Sequence, residues 1–132
     1  GHLVVSTMHS ERVADTMERY TNLFPQEQLT HGVNLLADQL IGILCQRLVP
    51  TVEGGLHLLA EHLENAGAVR DWIRRRDSGH IREHLLRGTD PANVPFLRSA
   101  VQACQANLIT EAVAIEATGN EAEFKRAMRG VQ

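Results

Sequence analysis

A chain of 132 residues with 43% apolar and 22% charged side chains is long enough for one domain with a buried core and has an ordinary globular composition. Its formal net charge of −3 excludes a global basic footprint for nucleic acid, so any basic site must be local. No apolar run reaches the length of a membrane span, and the first residues lack the basic, apolar and cleavage regions of a secretory leader, which predicts no direct membrane insertion.

Leu3, Val4 and Val5 form a continuous apolar run, the pattern of a strand buried on both faces of a parallel sheet, and predict a strand over residues 3–6. Such a strand needs neighbours of its own kind, which the rest of the chain does not offer, so the sequence reads as a fragment whose other strands are encoded upstream. Ser10 followed by Glu11 predicts a helix start, and Val13, Met17, Tyr20 and Phe24 share one face of the helix behind it. Pro25 either ends that helix or opens the next, whose apolar stripe is Leu29, Val33, Leu36, Leu40 and Leu44.

Gly54-Gly55 predicts a turn that joins residues 47–52 and 56–63 as a hairpin. After Asn65 and Gly67 a helix is predicted through AVRDWIRRRD, and another through HIREHLLRG with Gly88 as its stop. Asp90-Pro91 predicts a further start, with Val94, Leu97, Val101 and Cys104 as the stripe. Thr110 opens the next helix, and Asn120 with Glu123 resembles a capping box ahead of Phe124, Ala127 and Met128.

Among candidate functional groups, His9 lies just past the end of the predicted strand, where open α/β sheets bind ligands. With His2 it reads either as a phosphate-sensing pair or as a strand-end pair bonded to backbone. His80 and His84 share a helix face but make only two of the three or more ligands zinc requires, and His57 and His62 fall on opposite faces of a strand, so no metal site is predicted. Arg70, Arg74, Arg75 and Arg76 cluster around Trp72, a pairing typical of subunit or domain interfaces, the alternative being a small helical module that grips nucleic acid or a protein partner. Twelve of the 13 basic residues are arginine, which favours planar, bidentate contacts over diffuse lysine charge. Cys45 and Cys104 read as separate thiols in a reducing, cytoplasmic compartment. The sequence contains no GxxxxGK[ST] phosphate loop, no serine nucleophile elbow and no paired-cysteine metal motif.

Several short stretches, in order and at matching spacing, carry a family resemblance. GHLVVSTMHS is similar to a histidine box of the form GHLV, two residues, TLHT, and TMERYTNLFP follows where that family has TIDRIxDxFP. LADQLIGILCQRLVP keeps Leu40, Gln46 and Leu48 of an LxGVxSQxL segment, and GGLHLLAEHL places Glu61 on the glutamate of GGRVAAxEI. GAVRDWIRRRD keeps Ala68, Arg70, Ile73 and Arg74 of an AIRNLIRE motif, and ANLITEA resembles KGLISxEEA. The chain thereby resembles the C-terminal half of the PilT-like motor ATPases of pilus retraction and type II secretion. Arg75 stands where AIRNLIRE ends in glutamate, Val33 replaces a frequent arginine, and ANVPFL replaces GMQTxD.

The resemblance implies a mainly α fold, made of one core strand of a RecA-like α/β ATPase in residues 1–24 and a helical C-terminal domain with a short β-hairpin in residues 25–132. It implies that His9, backed by His2, senses the γ-phosphate of ATP, and that Ala68, Arg70, Trp72, Ile73 and Arg74 serve intersubunit contact and motion. ATP and Mg2+ belong to the parent protein by this resemblance, with neither expected on this part alone, which should be inactive as an ATPase. The implied partners are copies of itself, as a hexameric ring or, for this part, a dimer, and an inner-membrane platform protein, with no nucleic acid.

Overall fold

The computed structural model describes residues 1–130. Among these, seven helices and one hairpin follow in the order α1 (Val13–Thr21), α2 (Leu29–Gln39), β1 (Gly42–Pro50), β2 (Leu56–Glu64), α3 (Ala68–Arg74), α4 (Ser78–Arg87), α5 (Phe96–Gln105), α6 (Glu111–Thr118) and α7 (Glu121–Gly130). The fold is thus mainly α, with a two-stranded antiparallel sheet in which Cys45 faces Glu61 and Arg47 faces Leu59.

The hairpin alternates as a half-buried sheet should. Cys45, Val49, Leu59, Glu61 and Leu63 point inward under α1, α5 and α6, while Leu44, Leu48, Leu56 and Leu58 stay exposed on the other face. Around this centre α2 packs on α3, α4 spans α1 and α3, and α7 closes on α5 and α6. Phe96, Phe124, Leu59, Leu63, Ile73, Ile81 and Val13 are fully buried, each stabilising the fold by about 1.5–3 kcal/mol. Val13 and Met17 belong to the same apolar cluster as Leu59, Ile73 and Phe96.

Several local signals work as the sequence suggests. Gly88 takes a left-handed conformation at φ 58° to end α4, and the Thr110 hydroxyl accepts from the Val113 amide to begin α6. Asn120 Oδ1 likewise accepts from the Glu123 amide at the start of α7.

Elsewhere the structure corrects the expectations. Residues 1–10 carry no strand pairing among the described residues, and Leu3, Val4 and Val5 are 77%, 80% and 85% exposed, since an apolar run with no neighbouring strand has no ladder to join. Helix α1 begins at Val13, after Arg12, rather than at Ser10, whose hydroxyl instead meets Thr16 at 2.6 Å. The stripe through Leu44 breaks, since α2 ends at Gln39, Leu40 is already extended at ψ 130°, and Leu44 lies on the exposed face of β1. Asn65 enforces that end by donating to the Ala37 and Leu40 carbonyls at 2.8 and 2.7 Å.

Asp90-Pro91 does not start a helix. The Asp90 carboxylate accepts from the Ala92 amide at 2.9 Å and from the Asn93 side chain at 2.8 Å, a local turn that competes with capping. The chain then adds a bridge to β2, with His62 and Val94 exchanging amide bonds of 2.8 and 2.9 Å, so α5 waits until Phe96.

Phe24 leaves α1 and folds over α2, where a Cβ placed on Gly32 would lie 2.4 Å from two of its ring carbons. Alanine is the better helix former by about 1 kcal/mol, but overpacking typically costs about 1–3 kcal/mol. Gly32→Ala is therefore expected to lower stability in a denaturant melt, and the same change made with Phe24→Ala already present should stabilise instead.

Candidate functional site

The two histidines of the first segment lie in solvent. Both are exposed, and among the described residues neither imidazole has a hydrogen-bond partner. What is fixed is the backbone beside His9, whose carbonyl accepts from Arg19 at 3.0 Å. The Ser10–Thr16 contact then has a defined direction, because the Thr16 hydroxyl donates to the Arg12 carbonyl at 2.9 Å and so accepts from Ser10.

Beyond His9 the chain enters a charged knot centred on Glu61, which is only 4% exposed. One carboxylate oxygen accepts from the Val13 amide at 2.8 Å and the other from the Phe96 amide at 3.3 Å, so one side chain caps the N-termini of both α1 and α5. Arg12 lies 3.8 Å from the same carboxylate and donates to the Thr118 carbonyl at the end of α6, at 2.8 Å. Arg47 donates to the neighbouring Ala117 carbonyl at 2.6 Å and meets Glu11 at 3.4 Å. The guanidinium carbons of Arg12 and Arg47 sit 5.7 and 5.6 Å from the centre of the Phe96 ring, within cation–π range. Sequence reasoning placed Glu61 only by resemblance. A glutamate pointing inward from an alternating strand was the available signal.

The arginine-rich helix is divided by its burial. Ile73 is fully buried and Val69 nearly so, whereas Ala68, Arg70, Arg75 and Arg76 are exposed. Arg74 bonds Asp38 of α2 and, at 2.9 Å, Asp71 of its own helix. Trp72 is half-buried against α4, its ring centre 5.9 Å from that of His80 and 5.3 Å from that of His84. Packing inside the chain thus accounts for Ile73 and for much of Trp72 and Arg74, and leaves Ala68, Arg70, Arg75 and Arg76 facing outward.

The groups that would hold a nucleotide do not converge. An open cleft of about 340 Å³ lies beside Arg75 and Arg76, but Glu18 lines it too and opposes an anion, and no glycine-rich turn of amides faces it. Among the described residues no group of three or more His, Cys, Asp or Glu side chains could hold a metal ion. Burial pushes the Cys45 and Cys104 thiols up from their ordinary range, which keeps them protonated and unreactive. These residues alone therefore do not fit ATP and Mg2+.

Asp77 caps α4 by accepting from the His80 amide at 3.1 Å and pairs with the His80 ring at 2.6 Å. These bonds hold its carboxyl below the ordinary carboxylate value. A depressed pKa adds stability that is complete above the unfolded value, about 3.9, and is lost as pH falls through the folded one. Asp77→Asn should therefore melt lower than the parent at pH 6 and approach it at pH 2 to 3, as followed by circular dichroism.

No protein-family model matches the chain. The type IV pilus retraction ATPase PilT of Pseudomonas aeruginosa is 31% identical over 74 residues, 56% of this chain and 22% of that protein. The type IV pilus ATPase PilU of the same organism is 28% identical over 103 residues, 77% of this chain and 27% of its own. The chain thus spans under a third of the curated relatives it matches, the share being 30% for the Escherichia coli protein YggR, itself 30% identical. In three dimensions the crystal structure of the pilus retraction motor PilT with bound ADP superimposes with a TM-score of 0.82 at 29% identity, over 96% of this chain and 35% of that one. The Legionella pneumophila ATPase DotB shares the fold at a TM-score of 0.69 and 22% identity, over 84% of this chain and 30% of its own. In sequence and in fold, the chain is similar to the PilT-like pilus motor ATPases and matches part of their length.

Proposed function

We propose that this chain is the C-terminal portion of a cytoplasmic, hexameric motor ATPase that couples hydrolysis of ATP, with Mg2+, to type IV pilus retraction or to secretion through an inner-membrane platform protein. Residues 1–24 close the RecA-like core in this reading, and residues 25–132 form a helical domain that packs between subunits and passes on motion. The observation that carries it is the superposition of 96% of the chain on a pilus retraction motor, together with the histidine box and the arginine-rich helix in the family's order.

His9 contacts the γ-phosphate in this reading and His2 supports it, for which their accessible imidazoles leave room. Intersubunit packing is supported by the exposed edge of α3, with Ala68 and Arg70, and by the apolar outer face of the hairpin, where Leu44, Leu48, Leu56 and Leu58 are exposed. Copies of the same chain are the natural partners of such a face. No helix among the described residues is long and apolar enough to cross a membrane, which agrees with a motor that acts on a membrane component from outside the bilayer.

This chain alone is expected to show no ATP turnover in a phosphate-release assay, and Mg2+-dependent turnover would overturn the proposal. In a protein that also carries a phosphate loop, His9→Ala should lower kcat by about 100-fold, by analogy with the loss of one oxyanion-hole donor.

A further inference from the structure

The four residues after His9 are fastened to four different elements, through Ser10 to α1, Glu11 to Arg47 of β1, Arg12 to the end of α6 and Val13 to Glu61 of β2. Residues 1–7, by contrast, are exposed. The attachment is concentrated in one buried carboxylate and two guanidinium groups that share Phe96. Opening one member leaves a desolvated charge or helix end without a partner, so the contacts favour forming and breaking together.

We propose that Glu61, with Arg12 and Arg47, is the joint that makes the histidine-bearing segment a single body with α5 and α6. Glu61 acts here as a positioning residue. It holds the start of α1, on which His9 depends, against the start of α5, while Arg12 extends the hold to the last turn of α6. A displacement at His9 is then delivered to the C-terminal helices directly and not through the length of α1. The biological use of the joint rests on the motor reading, but its existence does not.

Amide hydrogen exchange followed by NMR on the 132-residue chain, without nucleotide, tests this. The amides of Val13 and Phe96 bond Glu61, whereas that of Gly119 bonds Ile115 at the far side of the joint, so Gly119 is the informative probe. In the native chain the three should open together, with one common response to denaturant. Glu61→Gln should speed exchange at all three by about tenfold or more, while Leu59 and Ile73 stay within about threefold. Arg12→Met, which keeps apolar contact with Phe96, should speed Val13 and Gly119 in the same way, and it carries the test if Glu61→Gln does not fold.

Uniform acceleration that includes Leu59 and Ile73 would be ordinary loss of stability and would overturn the proposal. Acceleration at Val13 and Phe96 with Gly119 unchanged would overturn it too, since that is helix capping and nothing more. Failure of the motor reading shows separately, in ATP turnover.

Discussion

The fold depends on a carboxylate that is costly to bury. Taking Glu61 out of water is unfavourable by several kcal/mol unless charge and hydrogen bonds replace its hydration. Here the replacement is complete in kind, with two backbone amides from the first turns of α1 and α5 and the Arg12 guanidinium alongside. Both amides belong to helix ends with partial positive charge, so the carboxylate sits where two dipoles favour it. The end of α6 arrives with the opposite sign and is met by Arg12 and Arg47. Three helices that begin or end at one point are thus ordered by electrostatic sign as much as by apolar packing.

Much of what is local in this arrangement was legible in the sequence. Gly54-Gly55, Gly88, Thr110 and Asn120 each act through backbone within a few residues, and each lies where its chemistry indicates. The long leucine stripe was ambiguous for a physical reason. Leu36, Leu40 and Leu44 satisfy helical spacing, yet Leu44 also falls on an even position of a strand whose odd positions Ile43, Cys45 and Val49 turn inward. At Asp90-Pro91 a good local cap lost to tertiary pairing, because Asn93 takes the Glu64 amide at 2.7 Å and Val94 bonds His62.

The candidate site divides in the same way. The histidine box and the arginine-rich helix are contiguous in sequence and could be seen there. The partners of Glu61 lie 48 and 35 residues away along the chain, and no periodicity announces them. The role of Trp72 was likewise hidden, because α3 and α4 have to fold against each other before His80 and His84 can take up its ring.

The unusual preference for arginine over lysine acquires a structural meaning once the contacts are sorted. Arg12, Arg19, Arg47, Arg98 and Arg129 each donate to a backbone carbonyl, of Thr118, His9, Ala117, Gly88 and Lys125 respectively. Three of these acceptors, Ala117, Thr118 and Gly88, are at helix ends, where carbonyls lack partners inside the helix and cations are favoured. A guanidinium can serve such a carbonyl with one nitrogen and a carboxylate with another, as Arg12 and Arg47 do, whereas an ammonium is a single point of charge. Arg12, Arg47 and Arg98 therefore work as connectors between elements, whereas Arg129 stays within α7. That use separates Arg12 and Arg47, whose guanidinium groups are taken up inside the fold, from Arg70, Arg75 and Arg76, which face outward from α3.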